Sequence, residues 1–272
     1  MQFLNTLLAA TSLTVAAATS AFGCGADSDC TVGDRTYRIA MPDGHDGTTP
    51  VGAIVFSHGY RGSAAGLMRN RNLRGLISDM GLALIALKSK GDDWVLPNSP
   101  RHMDSTGAAE FSYVDAVIAD ASSRHPLDQD RLVAAGFSAG GMMTWNLACA
   151  RPALFAGFVP ISGTFWKQPP PSCAAPVASI VHIHGDADPT VPMDGRPIMA
   201  TRQGKVTDAL DMYRDFGDFT STAPSRTARL SCDNSTNAQG AVLNLCMFEG
   251  GHSFRSEFLR FAWETLEDAG RL

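Results

Sequence analysis

Residues 132–141, LVAAGFSAGG, set an apolar run of strand length directly before Gly136-Phe137-Ser138-Ala139-Gly140, and Gly140 to Cys149 then reads as a helix. A strand that turns straight into a helix needs glycine on either side of the bend, because a Cβ there would collide with neighbouring backbone. Such a bend holds the Ser138 hydroxyl above the end of the strand. A serine hydroxyl is a poor nucleophile until an imidazole takes its proton, and the imidazole needs a carboxylate to fix its tautomer.

Outward from this turn the chain alternates strand and helix. Val51 to Ser57 and Leu82 to Leu87 are continuous apolar runs, as expected of strands covered on both faces. Ala64 to Met80 carries helical spacing in Leu67, Leu73, Leu76 and Ile77, and Ala108 to Ser123 does so in Phe111, Val114, Val117 and Ile118. Strands are expected at Gly157 to Ile161 and Val177 to His184, and helices near Val206 to Phe216 and from Arg255 to Leu266. Thr36 to Met41 alternates like an edge strand ending at Pro42, whereas the polar stretch Phe219 to Leu245 resists assignment. The pattern predicts one α/β domain: a doubly wound, mostly parallel sheet with helices on both faces.

The 272 residues suit a single large domain, with no internal repeat and no Pro/Ser linker to a second module. Twenty-two Lys and Arg against 27 Asp and Glu give a formal charge of -5, without the basic field that nucleic-acid binding exploits. Residues 1–23, apolar from Leu7 through Ala18 and small before Cys24, read as an export signal, leaving residues 24–272 as the catalytic domain, secreted or periplasmic. No membrane partner is expected of the mature chain, and Ala21-Phe22-Gly23-Cys24 is at best a weak lipidation box. Six cysteines behind such a signal favour disulfides, and neighbour pairing joins Cys24 to Cys30, Cys149 to Cys173 and Cys232 to Cys246. Six cysteines allow fifteen pairings, and no CxxC spacing suggests a metal site.

The partners of Ser138 should follow it in the order acid, then histidine. Of the seven histidines only His182, His184 and His252 lie beyond Ser138, and only His252 lies beyond every candidate acid, on a Gly250-Gly251 loop. Asp186 and Asp188 compete for the acid in Gly185-Asp186-Ala187-Asp188-Pro189, with Asp194 farther out. Asp188 is expected, since the first aspartate after a strand and glycine commonly caps its own turn. Backbone N–H groups of Ala139 and Tyr60 are candidate donors for a developing oxyanion. Trp94, Trp166 and Phe254 are candidate substrate contacts, whereas Met142 and Met143 read as core residues of the helix.

Ser57-His58-Gly59-Tyr60, Asp130-Arg131, Gly136 to Gly140 with Gly141-Met142-Met143, Cys149 with Pro152 and Phe155-Ala156, His184-Gly185 to Asp188 with Val191-Pro192, and Gly250-Gly251-His252 together resemble the secreted polyhydroxybutyrate depolymerase and feruloyl esterase family of α/β-hydrolases. The likeness covers roughly residues 30–265. It implies a serine carboxylesterase that uses no cofactor, with Ser138, Asp188 and His252 as triad and Cys149 paired to Cys173. Implied substrates are small or oligomeric esters, feruloyl or acetyl in type or short hydroxyalkanoates. A polyester depolymerase is the alternative within that family, and a serine peptidase or a non-catalytic binding protein the alternative outside it. Two departures bear on substrate: Ser253-Phe254-Arg255 follows the histidine where the family carries tryptophan and proline, and Glu110-Phe111 replaces an acidic pair.

Overall fold

The computed structural model describes residues 23–272, so the export signal expected over residues 1–23 falls, but for its last residue, outside the described residues. The sheet begins with β1 (Cys30–Val32), β2 (Arg35–Ala40), β3 (Val51–Ser57), β4 (Ala83–Leu87), β5 (Leu127–Phe137), β6 (Gly157–Ile161) and β7 (Ile180–Gly185). Three later strands complete it, giving the spatial order β1-β2-β4-β3-β5-β6-β7, then Leu243–Phe248, Ser231–Asp233 and Ser225–Arg226. From β4 through Leu243–Phe248 every neighbouring pair is parallel, and the pairs at both margins are antiparallel.

The apolar runs are continuous because successive side chains enter two different cores. On β3, Ala53 and Val55 join one core while Ile54 and Phe56 join the other; on β5, Ala134 alternates with Val133 and Ala135 in the same way. The first core is capped by α3 (Ala108–Arg124), α4 (Ala139–Ala150) and α5 (Val206–Phe216). Across the sheet, α1 (Ala64–Arg69), α2 (Arg71–Asp79) and α6 (Glu257–Asp268) cap the second. The expected fold class is therefore present: a mostly parallel sheet covered on both faces.

Several boundaries differ from the sequence reading, β7 among them, which starts at Ile180 rather than Val177. The helix expected over Ala64 to Met80 is two helices, because Asn70 adopts an extended ψ of 95°. Its side chain then caps the second helix by accepting from Leu73 N at 3.1 Å. The strand expected from Leu132 starts at Leu127, and the closing helix runs two residues later than expected at each end. The larger correction is Leu243–Phe248, a buried central strand pairing with β7 along its whole length, in a region that looked polar.

All three neighbour-paired disulfides are present, and among the described residues no cysteine is free. Cys149–Cys173 closes a separation of 24 residues between the end of α4 and the chain leading to β7. A loop of that size contributes about 3 kcal/mol. Replacing both cysteines with alanine is expected to lower Tm by roughly 6–12 °C in a chain of this length, and an unchanged calorimetric Tm would contradict that contribution.

Candidate active site

Ser138 ends β5 and opens α4 with φ 60° and ψ -121°, a conformation that costs a non-glycine residue about 1–3 kcal/mol. Its neighbours hold it there: Ser138 N donates to Ile161 O on β6, and Met142 N donates back to Ser138 O. A Cβ on Gly136 would strike the Gly140 carbonyl, and one on Gly140 would strike the Ser57 carbonyl of β3. Both glycines are thus required by close backbone approach, as the sequence implied.

Two adjacent parallel strands bring the other partners. Gly185 at the end of β7 lies opposite Phe248 at the end of Leu243–Phe248, so the loops that follow leave the sheet side by side. Asp186 N donates to Phe248 O and Ala187 N to Gly250 O, each at 3.0 Å, while Asp186 Oδ1 accepts from Gly250 N at 2.9 Å. Asp186 therefore pins the histidine loop by its backbone. Asp188 Oδ2 accepts from His252 Nδ1 at 2.7 Å, and its Oδ1 accepts from Thr190 N and Val191 N. Burial opposes ionisation of Asp188, yet the bonds from His252 and these two amides together outweigh it and hold the carboxyl below its usual range.

With Nδ1 committed to Asp188, Nε2 is the free nitrogen of His252. The ring packs on Phe137, the residue before Ser138, with centroids 4.6 Å apart. Among the three candidate side chains the His252–Asp188 bond is the one present; the His252 ring packs on the residue before Ser138, and no hydrogen bond joins it to Ser138.

A cavity of about 310 Å³ opens onto Ser138, with Ala139, Tyr60, Met142 and Trp166 in its wall. A larger concavity of about 510 Å³, near Met41, Arg71 and His125, touches none of Ser138, Asp188 and His252. Ala139 N is the first amide of α4, where helix geometry leaves the N–H without an intrahelical acceptor and the dipole favours negative charge. The loop bearing Tyr60 is held by Gly62 N on Gly59 O and by Arg61 N on Asp92 O. His58 braces it from below, with Ser89 N donating to Nε2 and Nδ1 donating to Gly59 O. Burial pushes the His58 pKa down to about 4, so the ring stays neutral.

Of the three aromatic candidates only Trp166 lines the cavity. Trp94 has no exposed surface and donates from Nε1 to His58 O at 2.9 Å. It braces the Tyr60 loop, so its assignment as a substrate contact is corrected. Phe254 lies outside the cavity, its ring 5.2 Å from Phe56 and 6.0 Å from Phe137, and wedges the histidine loop against the second core. Met142 is both a core residue and part of the wall. Sequence reasoning missed the hairpin that closes the far wall, Pro197–Ile198 paired with Thr201–Arg202, which brings Arg196, Met199 and Gln203 to the cavity. Gly195 before it, which a Cβ would drive into the Gln203 carbonyl, was its one visible signal.

Residues 92–230 match the family described as phospholipase/carboxylesterase. "Putative esterase NocK" of Nocardia uniformis subsp. tsuyamanensis is 31% identical over 170 residues, covering 59% of this chain and 47% of that protein, so the chain spans about half its length. Feruloyl esterase C of Emericella nidulans is 29% identical over 206 residues, covering 72% and 73% of the two chains. Among solved structures, an acetyl xylan esterase from Aspergillus awamori superposes with a TM-score of 0.65 at 16% identity over 91% of this chain and 98% of the other, a likeness of fold.

The two aspartates of the acid loop separate the roles in the site. Asp188→Asn is expected to lower kcat by about 10⁴, because an amide no longer selects the His252 tautomer. Asp186→Asn keeps an acceptor for Gly250 N and is expected to cost less than tenfold. Kinetics on one soluble ester check the ranking, and the reverse order would place the acid at Asp186.

Proposed function

The chain belongs to the phospholipase/carboxylesterase family, and from that premise we propose that it is an exported serine carboxylesterase acting through Ser138, His252 and Asp188. Ser138 Oγ attacks the ester carbonyl as His252 Nε2 takes its proton, while Asp188 holds Nδ1 and steadies the imidazolium. The tetrahedral oxyanion is received by the N–H groups of Ala139 and Tyr60, a contribution of several kcal/mol in a site already organised before reaction. His252 then gives its proton to the departing alcohol, and water activated by the same ring hydrolyses the acyl-enzyme.

The observation that carries this reading is the 2.7 Å bond from His252 Nδ1 to Asp188, with the ring against the residue next to a strained serine. The 310 Å³ cavity beside Ser138, apolar at Met142 and Trp166 and polar at Arg196 and Gln203, suits a short or aromatic acyl group. Esters of the feruloyl or acetyl type and short hydroxyalkanoate oligomers are therefore the proposed substrates. Three disulfides fit an oxidising destination outside the cytoplasm.

Wild-type protein is expected to hydrolyse p-nitrophenyl butyrate and methyl ferulate, and Ser138→Ala to lower kcat at least 10⁴-fold with Tm preserved. Turnover by Ser138→Ala above a tenth of wild type would remove the serine from the mechanism.

A further inference from the structure

His182 and His184 take no part in that mechanism, yet both are fully buried on β7, the strand that delivers the acid. Two residues apart on a strand, they face the same side. Their contacts form one continuous line. Trp145 Nε1 on α4 lies 3.2 Å from His182 Nδ1, His182 Nε2 lies 2.9 Å from His184 Nδ1, and His184 Nε2 lies 2.7 Å from Val191 O. The same His184 Nε2 is 3.6 Å from Asp188 Oδ2. Val191 N, in turn, donates to Asp188 Oδ1 at 2.9 Å.

Proton positions along this line follow from the chemistry at its two ends. An indole nitrogen can only donate, so His182 Nδ1 must be bare. Burial disfavours the charged form of both rings, and each holds a single proton. That of His182 therefore sits on Nε2 and is given to His184 Nδ1. That of His184 sits on Nε2, facing a carbonyl that can only accept. Donor and acceptor agree at every link. The line begins on the helix that Ser138 opens and ends at the loop that holds the acid.

We propose that Trp145, His182 and His184 are positioning residues for Asp188: the indole N–H at one end and the Val191 carbonyl at the other together fix both imidazole tautomers, so that His184 presents a proton and never a lone pair to the Val191 carbonyl and the Asp188 carboxylate. The inference rests on Asp188 being the catalytic acid. Without the Trp145 donor, His182 is free to carry its proton on Nδ1. Its Nε2 then accepts from His184 Nδ1, and a bare His184 Nε2 faces two oxygens. The acid loop must shift to relieve that contact, and the carboxylate that orients His252 shifts with it.

The test reads the tautomers directly, by two-bond ¹H–¹⁵N correlation spectra of the uniformly labelled full chain. Wild type is expected to show His182 and His184 both as Nε2–H forms alone, and Trp145→Phe to show an added Nδ1–H population at His182. Trp145→Phe is also expected to lower kcat on p-nitrophenyl butyrate about tenfold with KM within twofold, a split that general loosening of the site does not produce. His184→Gln, whose amide can still donate, should keep at least a third of wild-type kcat, and His184→Leu less than a tenth. An Nδ1–H form of His182 in wild type overturns the proposal whether or not the variants fold. So do equal kcat values for His184→Gln and His184→Leu, or a tautomer switch in Trp145→Phe with kcat unchanged. A wild type that shows the expected tautomers but turns over no ester contradicts the esterase reading instead.

Discussion

The bond between His252 Nδ1 and Asp188 Oδ2 is the contact on which the site depends, and the register of two parallel strands makes it possible. Asp188 and His252 are 64 residues apart in the chain, so nothing local brings them together. Gly185 and Phe248 face each other at the ends of their strands, and three hydrogen bonds continue that pairing into the two loops. A slip of one residue would turn the sheet face of every side chain on Leu243–Phe248 and carry the histidine loop away from the acid. The buried ladder, supported by Cys232–Cys246 on its other side, resists that slip.

The same rigidity supports the serine. A residue at φ 60° and ψ -121° persists only where its surroundings over-determine it, and here β3, β6 and α4 all press on the turn. The strain is small beside the burial of two cores that share one sheet. Loops with less support carry the cavity instead: the Tyr60 loop stands on His58 and Trp94, and the far wall is a short hairpin with an exposed Met199 at its tip. The proposed catalytic residues thus sit at or just beyond the ends of central strands, while the cavity walls sit on connections free to vary.

Much of this arrangement was legible in the residues. Gly136 and Gly140 announced the turn because only backbone without a side chain fits there, and the apolar runs announced strands because both their faces are covered. Asp188 was preferred over Asp186 by the habit of the first aspartate to cap a turn. Asp188 rather than Asp186 bonds His252, while Asp186 bonds the histidine loop and does not cap its own turn. What stayed hidden depended on distance through space. Trp94 and Phe254 look like exposed loop aromatics until the packing around His58 and Phe137 is known. Leu243–Phe248 was masked by the Ser/Thr/Asn-rich chain before it, although Val242 to Phe248 is apolar enough at alternate positions to have been found. The hairpin at Pro197–Arg202, two residues per strand, is too short for any periodicity to show.

The central claim is that Ser138 is a nucleophile activated by His252. Peptide mapping by mass spectrometry after treatment with a fluorophosphonate tests it most directly, comparing wild type with His252→Ala. The account predicts a phosphonyl adduct on Ser138 in wild type and its near absence in the variant. Equal modification of the two proteins, or a wild-type serine left unmodified, would contradict it.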